Sequence, residues 1–288
     1  MSILIPKKIH TEFKDIIQGQ NIKNSNIIQD KNVKIPKIIH QTYISFKKIP
    51  KNWVNTPTSW KMHNPQWEYK FWSDEDNRKL CQEKFPWFLE TYDSYKYPIQ
   101  RADAVRYMIL YTYGGVYIDL EYYCQKPIDI FFIQESELYL LNSPNDNIFS
   151  SDTITNSFMA SKKGSKFWIY LLEKMVEYAN NPSPLWLTKH IYVMYTTGPA
   201  CVTKCFRNYS EINSVSFLPQ NLLFPSKCNV CSEKPCTTDE AYIVVLEGSS
   251  WCDSDSDFLK RTYCNPKLFL TVVSIGILII IYFIYYKQ

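Results

Sequence analysis

Short apolar runs alternate along this chain with stretches whose apolar residues recur every three to four positions. Ile35 to His40 reads as the first strand. Asp74 caps a helix that runs through Phe85, with acidic residues in the first turn, where the helix dipole favours them. Pro86 breaks it, and Trp87 to Tyr95 forms another. Pro98 opens a longer helix with Val105, Met108, Ile109 and Tyr111 for its buried side, ended by Gly114-Gly115. A strand carrying Asp119 and Glu121 follows, then a strand at Leu138 to Leu141 and an amphipathic helix from Lys166 to Tyr178. Strands alternating with helices predict an α/β fold on a mixed, mainly parallel sheet, which binds ligands at the carboxyl ends of its strands.

The two ends of the chain depart from this pattern. Residues 1–33 are polar and without a clear period, and read as a flexible lead-in; Ile5 to His10 echoes Ile35 to His40 within it. Nothing at the start resembles a signal peptide, since Lys7 and Lys8 follow a very short apolar run. From Leu268 to Tyr286 no residue is charged, and at 1.5 Å per residue the stretch covers about 28 Å, near the thickness of a bilayer core. Tyr282, Tyr285 and Tyr286 gather at one end as an interfacial belt would. The expectation is a single-pass transmembrane helix over 268–286 behind a domain over 34–260.

The candidate chemistry lies between Pro98 and Glu121. Asp103 and Arg106 stand i, i+3, so they are neighbours on one helix face. Asp119 and Glu121 stand i, i+2, so on a strand both would point the same way. Two carboxylates of hard oxygen suit one divalent cation, and such a cation can grip a diphosphate. A charged pair on a helix followed by a carboxylate pair on the next strand is a denser grouping than solvated surface charge requires.

Composition narrows the partners. The net charge of +4 over 288 residues, with no dense basic stripe, argues against nucleic acid. Lys, Asn, Ile and Tyr are abundant and glycine is scarce, as an AT-rich coding sequence would give. Among nine cysteines, Cys228, Cys231 and Cys236 cluster, with Cys201 and Cys205 upstream and Cys252 and Cys264 downstream. In an oxidising compartment they would pair, and in the cytosol they would be thiols. A zinc site is less favoured, because no second CxxC or His pair completes the set.

The run from Arg101 to Glu121 resembles the DxD region of family 32 glycosyltransferases, which include the Och1-like and inositol-phosphoceramide mannosyltransferases. Asp103, Arg106, Leu110, Tyr111, Gly114, Gly115, Tyr117 and Asp119 match its pattern, with Glu121 where the family has Asp. Ile35 to Thr42, Asn64 to Asp74 and Thr197-Gly198-Pro199 are similar to further blocks of that family, in order. The family's late histidine is missing from Val244 to Trp251.

The resemblance implies a GT-A-like, Rossmann-type nucleotide-binding domain and a metal-dependent transfer of sugar, with retention, from a nucleotide sugar to a glycan or sphingolipid. GDP-mannose is the nearest donor and a UDP-sugar the other. Mn²⁺ or Mg²⁺ would be held by Asp119 and Glu121, with Glu247 or Ser249 as a further ligand. Asp103 would accept donor-sugar hydroxyls, Arg106 would meet the sugar or a phosphate, and Asp119 would also reach the ribose. His40, Gln41 and Thr42 would line the nucleotide pocket, and Trp251 would cover the diphosphate or sit in the core. Family members work in the Golgi lumen, whereas the basic residues ahead of 268–286 favour a cytosolic domain, so the membrane side stays open. Three other readings remain: a catalytically degenerate, membrane-anchored sugar- or partner-binding protein, a metal phosphoesterase, and a structural membrane protein. Four histidines, none at ligand spacing, speak against the phosphoesterase.

Overall fold

A computed structural model of the chain describes residues 35–143, 153–181, 188–212, 214–223, 240–248 and 251–286. The expected lead-in over 1–33, the cysteines at 228, 231 and 236, and Ser249 lie outside the described residues. In chain order the elements are β1 (Ile38–Thr42), α1 (Thr56–His63), β2 (Glu68–Trp72), α2 (Asp74–Lys84), α3 (Leu89–Ser94), α4 (Pro98–Tyr113), β3 (Gly115–Ile118) and β4 (Tyr122–Cys124). Then come β5 (Leu138–Asn142), β6 (Ile154–Ser161), α5 (Lys166–Asn180), α6 (Lys189–Thr196), α7 (Pro199–Asn208), β7 (Val215–Phe217), α8 (Gln220–Leu223), β8 (Ile243–Val245), α9 (Ser254–Cys264) and α10 (Pro266–Tyr286).

Six strands form one sheet in the order β2-β1-β3-β6-β5-β7, and β4 pairs with β8 apart from it. The β1/β2, β1/β3 and β5/β7 pairs are parallel, while β3/β6 and β5/β6 are antiparallel. The sheet is therefore mixed, and the α/β expectation describes it. Alternation along the strands divides the core into two layers. Tyr117, Leu138, Leu140 and Met159 join one cluster with Met108, Leu110, Trp168 and Val202 from the helices. Val116, Ile118, Tyr139, Leu141, Phe158 and Ala160 face the other, which holds Trp60, Phe132 and Ile243.

Local rules set the helix boundaries. Ser73, rather than Asp74, caps α2: its hydroxyl accepts from the Asp76 backbone N–H at 3.2 Å, and Asp76 accepts from the Ser73 N–H at 3.0 Å. The segment after Pro86 splits into a 3-10 turn, Pro86–Phe88, and the short α3. Helix α4 begins at Pro98 and ends at Gly114, whose φ is 67°. A Cβ there would lie 2.6 Å from the Lys163 nitrogen, and one on Gly115 (φ 87°) 2.4 Å from the Ile38 carbonyl. Only glycine allows α4 to turn back so tightly into β3.

Two expectations are corrected. Strand β3 ends at Ile118, and Asp119, Leu120 and Glu121 form a turn into β4, closed by Tyr122 N–H on the Asp119 carbonyl at 3.3 Å. The acidic pair is thus held by a turn and not by strand alternation. Residues 268–286 lie in α10, but among the described residues no helix is long and apolar enough to cross a membrane. Lys267 stands at the start of α10, and Thr271 and Ser274 are the polar residues within its first half. The transmembrane anchor expected over 268–286 is not supported.

Candidate active site

Helix α4 and strand β3 run in opposite senses from their shared glycines. Arg106 lies about 12 Å up the helix from Gly114, and Asp119 lies about 13 Å along the strand from Gly115. The two rises bring them level, and Arg106 Nη1 meets Asp119 Oδ1 at 3.2 Å. One turn earlier on the same helix face, Asp103 Oδ1 meets Arg106 Nη2 at 3.1 Å. Arg106 also donates to the Asn156 carbonyl at 2.8 Å and lies over the Tyr117 ring, 4.8 Å from its centroid. Asp103 and Arg106 are each 3% exposed. A buried guanidinium held this way is a fixed charge, not a mobile one.

Asp103 is further clamped by Asn156 Nδ2 on Oδ1 at 2.9 Å and by the Thr197 hydroxyl on Oδ2 at 2.7 Å. Burial pushes its carboxyl up to about 6, against the pull of Arg106 and these hydrogen bonds. Asp119 uses Oδ1 for Arg106 and for the Tyr117 hydroxyl, which donates at 3.0 Å. Its pKa too is raised by burial, opposed by Arg106. Glu121 fares worst: burial, and then the charge on Asp119, push its carboxyl up to about 8. Three carboxylates share one arginine here. The deficit of positive charge falls at Glu121, beside Asp119, and a divalent cation would balance it.

The family described as "Glycosyltransferase sugar-binding region containing DXD motif" matches residues 50–138, which include all four of these residues. Inositol phosphoceramide mannosyltransferase 3 of Schizosaccharomyces pombe is 32% identical over 94% of this chain and 71% of its own length. The chain belongs to the DXD-containing glycosyltransferases. Mannosyl phosphorylinositol ceramide synthase CSH1 of Saccharomyces cerevisiae is 30% identical over 77% of this chain, which spans 54% of that relative's length. Among solved structures, PaToxG Glycosyltransferase is similar at 15% identity, with a TM-score of 0.46 over 60% of this chain and 69% of that one.

In this glycosyltransferase the other sequence-predicted residues are dispersed. His40 is fully buried; its Nδ1 accepts from the Trp72 indole at 3.2 Å and its Nε2 lies 2.9 Å from the Gly114 carbonyl. Burial lowers its pKa to about 4, so it is neutral with the proton on Nε2, and it ties β1 to the end of α4 rather than facing a nucleotide. Thr42 likewise donates to the Trp72 carbonyl at 3.0 Å and accepts from Asn77 at 2.7 Å. Gln41 does reach the site: it donates to the Asp119 carbonyl at 3.1 Å and accepts from the Tyr69 hydroxyl at 2.8 Å, steadying the acidic turn.

The late segment is brought near the turn by β4 and β8, where Leu246 N–H donates to the Glu121 carbonyl at 2.9 Å. The Glu247 side chain is exposed, and its carbonyl accepts from Asn52 and Trp53 at 2.6 and 3.0 Å. Among the described residues no three His, Cys, Asp or Glu side chains are arranged so that they could hold a metal ion by themselves. Trp251 stacks on His190, with centroids 5.1 Å apart. Cys81, Cys124, Cys201 and Cys205 are buried thiols, and Cys264 is in a disulfide.

Sequence reasoning gave no role to Asn156, Thr197, Tyr107 or Tyr117, although these hold the charged cluster together. One signal was available for Asn156: the polar run Thr155-Asn156-Ser157 sits inside a strand whose every residue is buried. Buried polar side chains in such a strand must have partners.

Proposed function

We infer that this glycosyltransferase moves a mannosyl group from GDP-mannose to an inositol-phosphoceramide acceptor, with retention of configuration and with Mn²⁺ or Mg²⁺ bound. Support for the sugar and the acceptor comes from the relatives, which carry the names inositol phosphoceramide mannosyltransferase and mannosyl phosphorylinositol ceramide synthase. A ceramide lies in a bilayer, so the transfer would take place at a membrane surface.

The metal reading is supported by the geometry of Arg106, which pairs with Asp103 and Asp119 and leaves Glu121, on the same turn as Asp119, outside its ion pairs. The donor set fits a hard divalent cation: two carboxylates from the protein, with the remaining positions open to water and phosphate oxygens. Such a cation, when bound, supplies positive charge against the departing diphosphate. The protein's own residues do the rest. Asp119 keeps Oδ1 on Arg106 and Tyr117, which leaves Oδ2 for the cation or the ribose. Asp103 accepts a sugar hydroxyl, and Arg106 fixes both aspartates. In a front-face displacement the acceptor oxygen bonds to the anomeric carbon as the bond to phosphate breaks, and the acceptor proton passes to the leaving phosphate.

The test is hydrolysis of GDP-mannose, with UDP-glucose and UDP-galactose beside it, by purified protein with Mn²⁺ and then with EDTA. Asp119→Asn should lose nearly all turnover while remaining folded. If the wild type neither hydrolyses a nucleotide sugar nor is thermally stabilised by one, the reading fails, and a degenerate sugar- or partner-binding protein takes its place.

A further inference from the structure

We propose that Thr197 and Asn156 are positioning residues that aim the Asp103 carboxylate at the donor sugar, and that the Thr197-Gly198-Pro199 corner serves to deliver the Thr197 hydroxyl. The proposal rests on the donor being a nucleotide sugar.

Four residues from three separated segments close a ring of hydrogen bonds around this carboxylate. Thr197 Oγ1 donates to Asp103 Oδ2 at 2.7 Å. The Thr197 carbonyl accepts from the Tyr107 hydroxyl at 2.7 Å. That hydroxyl accepts from Asn156 Nδ2 at 3.0 Å, and the same amide donates to Asp103 Oδ1 at 2.9 Å. All four residues are buried. The tyrosine proton is committed to a carbonyl, so the amide must donate to the tyrosine oxygen. Among the described residues the Thr197 hydroxyl has one rival acceptor, the Val193 carbonyl, at 3.4 Å. Both neighbours therefore donate to Asp103, and the ring is satisfied only by a carboxylate that accepts at both oxygens.

The local structure is built for this delivery. Helix α6 stops at Thr197, whose backbone N–H returns to the Val193 carbonyl at 3.1 Å. Gly198 N–H donates to the same carbonyl at 2.9 Å, and a Cβ on Gly198 would lie 3.2 Å from that oxygen and from the Met194 Cα. Pro199 then opens α7. The sharp change of direction pushes Thr197 inward, fully buried, to the α4 face that bears Asp103. Tyr107 is braced from behind by Trp168, stacked 5.7 Å away at 9°.

The arrangement has a consequence for the sugar. A carboxylate offers about four acceptor positions. Asn156 and Arg106 occupy Oδ1, and Thr197 occupies one position on Oδ2. What remains is a single acceptor direction on Oδ2. Asp103 thus takes one sugar hydroxyl from one direction. A carboxylate free to rotate would accept several, and a misplacement of about 1 Å can cost on the order of 100-fold in rate.

The experiment compares wild type, Thr197→Val, Thr197→Ser and Asn156→Ala in hydrolysis of the donor that the wild type turns over in the panel above. Binding of the matching nucleoside diphosphate with Mn²⁺ is measured in parallel. Valine keeps the shape of the side chain and removes the donor; serine keeps the donor. The expected result is a fall in kcat of at least tenfold for Thr197→Val and Asn156→Ala. Thr197→Ser should stay within about threefold of wild type. Binding of the nucleoside diphosphate should be unchanged in all three, because the ring encloses Asp103, to which the proposed function gives the sugar and not the nucleotide. Wild-type kcat in Thr197→Val overturns the proposal. So does loss of nucleoside diphosphate binding in step with turnover, which marks a merely structural role. A wild type that turns over no nucleotide sugar defeats the functional reading first, and the proposal with it.

Discussion

At the scale of single residues, the sign of a pKa shift says what a side chain lacks. Glu121 is raised to about 8 by burial and by Asp119, because Arg106 is already shared between Asp103 and Asp119. A carboxyl held above its ordinary value binds its proton more tightly when folded than when unfolded. Its burial is therefore harmless near pH 4.5, and stability is lost as pH rises from there to about 8. Glu121→Gln should melt with the wild type near pH 4.5 and above it at pH 8 in EDTA. Added Mn²⁺ should raise the melting temperature of the wild type at pH 8 and leave Glu121→Gln unmoved; thermal scans across pH read both. His40 works in the opposite sense. Its folded pKa of about 4 lies below the ordinary value, so stability is lost as pH falls from 6.5 towards 4. His40→Ala leaves the Trp72 indole and the Gly114 carbonyl unpaired and opens a cavity. It should cost on the order of 3 kcal/mol in urea unfolding, and it should flatten the acid limb between those pH values.

At the scale of elements, the Gly114-Gly115 hairpin between α4 and β3 sets the site, since it brings Arg106 level with Asp119. Both glycines have positive φ and neither has room for a methyl group. Gly115→Ala should destabilise the fold by well over 1 kcal/mol, read from the urea midpoint. It should also lower turnover in the molecules that stay folded, because the strand can only relieve the clash by moving against β1. Much of this was legible in the sequence, because it is local. The glycine pair, the i, i+3 spacing of Asp103 and Arg106 and the mixed α/β order are patterns over a few residues. What was not legible depends on distant partners. The turn at Asp119 to Glu121 is fixed by pairing of β4 with β8, some 120 residues later in the chain. Thr197 stood within a recognisable motif, but nothing in Thr-Gly-Pro says that its hydroxyl meets a helix 94 positions away. His40 lies in the middle of β1, and its ring turns into the core, which no local rule gives.

At the scale of the molecule, the segment from Trp251 onward bears on the site through its contacts with α6. Trp251 stacks on His190, and Lys189 donates to the Trp251 carbonyl at 2.7 Å and to Asp253 at 2.6 Å. Asp255 accepts from the His190 backbone N–H at 2.6 Å, and Ser256 meets the His190 ring at 2.9 Å. All of these grip the first turn of α6, and the last turn of α6 carries Thr196 and Thr197 towards Gln100 and Asp103. Helix α10 packs chiefly on α9, and its Leu270, Val273, Ile275 and Leu278 are exposed. Two truncations separate these roles. A chain ending before Pro266 keeps the contacts of Trp251, Asp253, Asp255 and Ser256 with α6, so it should hydrolyse the donor at the wild-type rate and melt within a few degrees of it. A chain ending before Trp251 frees the first turn of α6. It should lose turnover by at least the factor seen for Thr197→Val while its far-UV circular dichroism stays that of a folded α/β protein. Equal activity in the two truncated chains would mean that the corner at Thr197 is held by α4 and α7 alone, and that the C-terminal clamp contributes nothing to the geometry of Asp103.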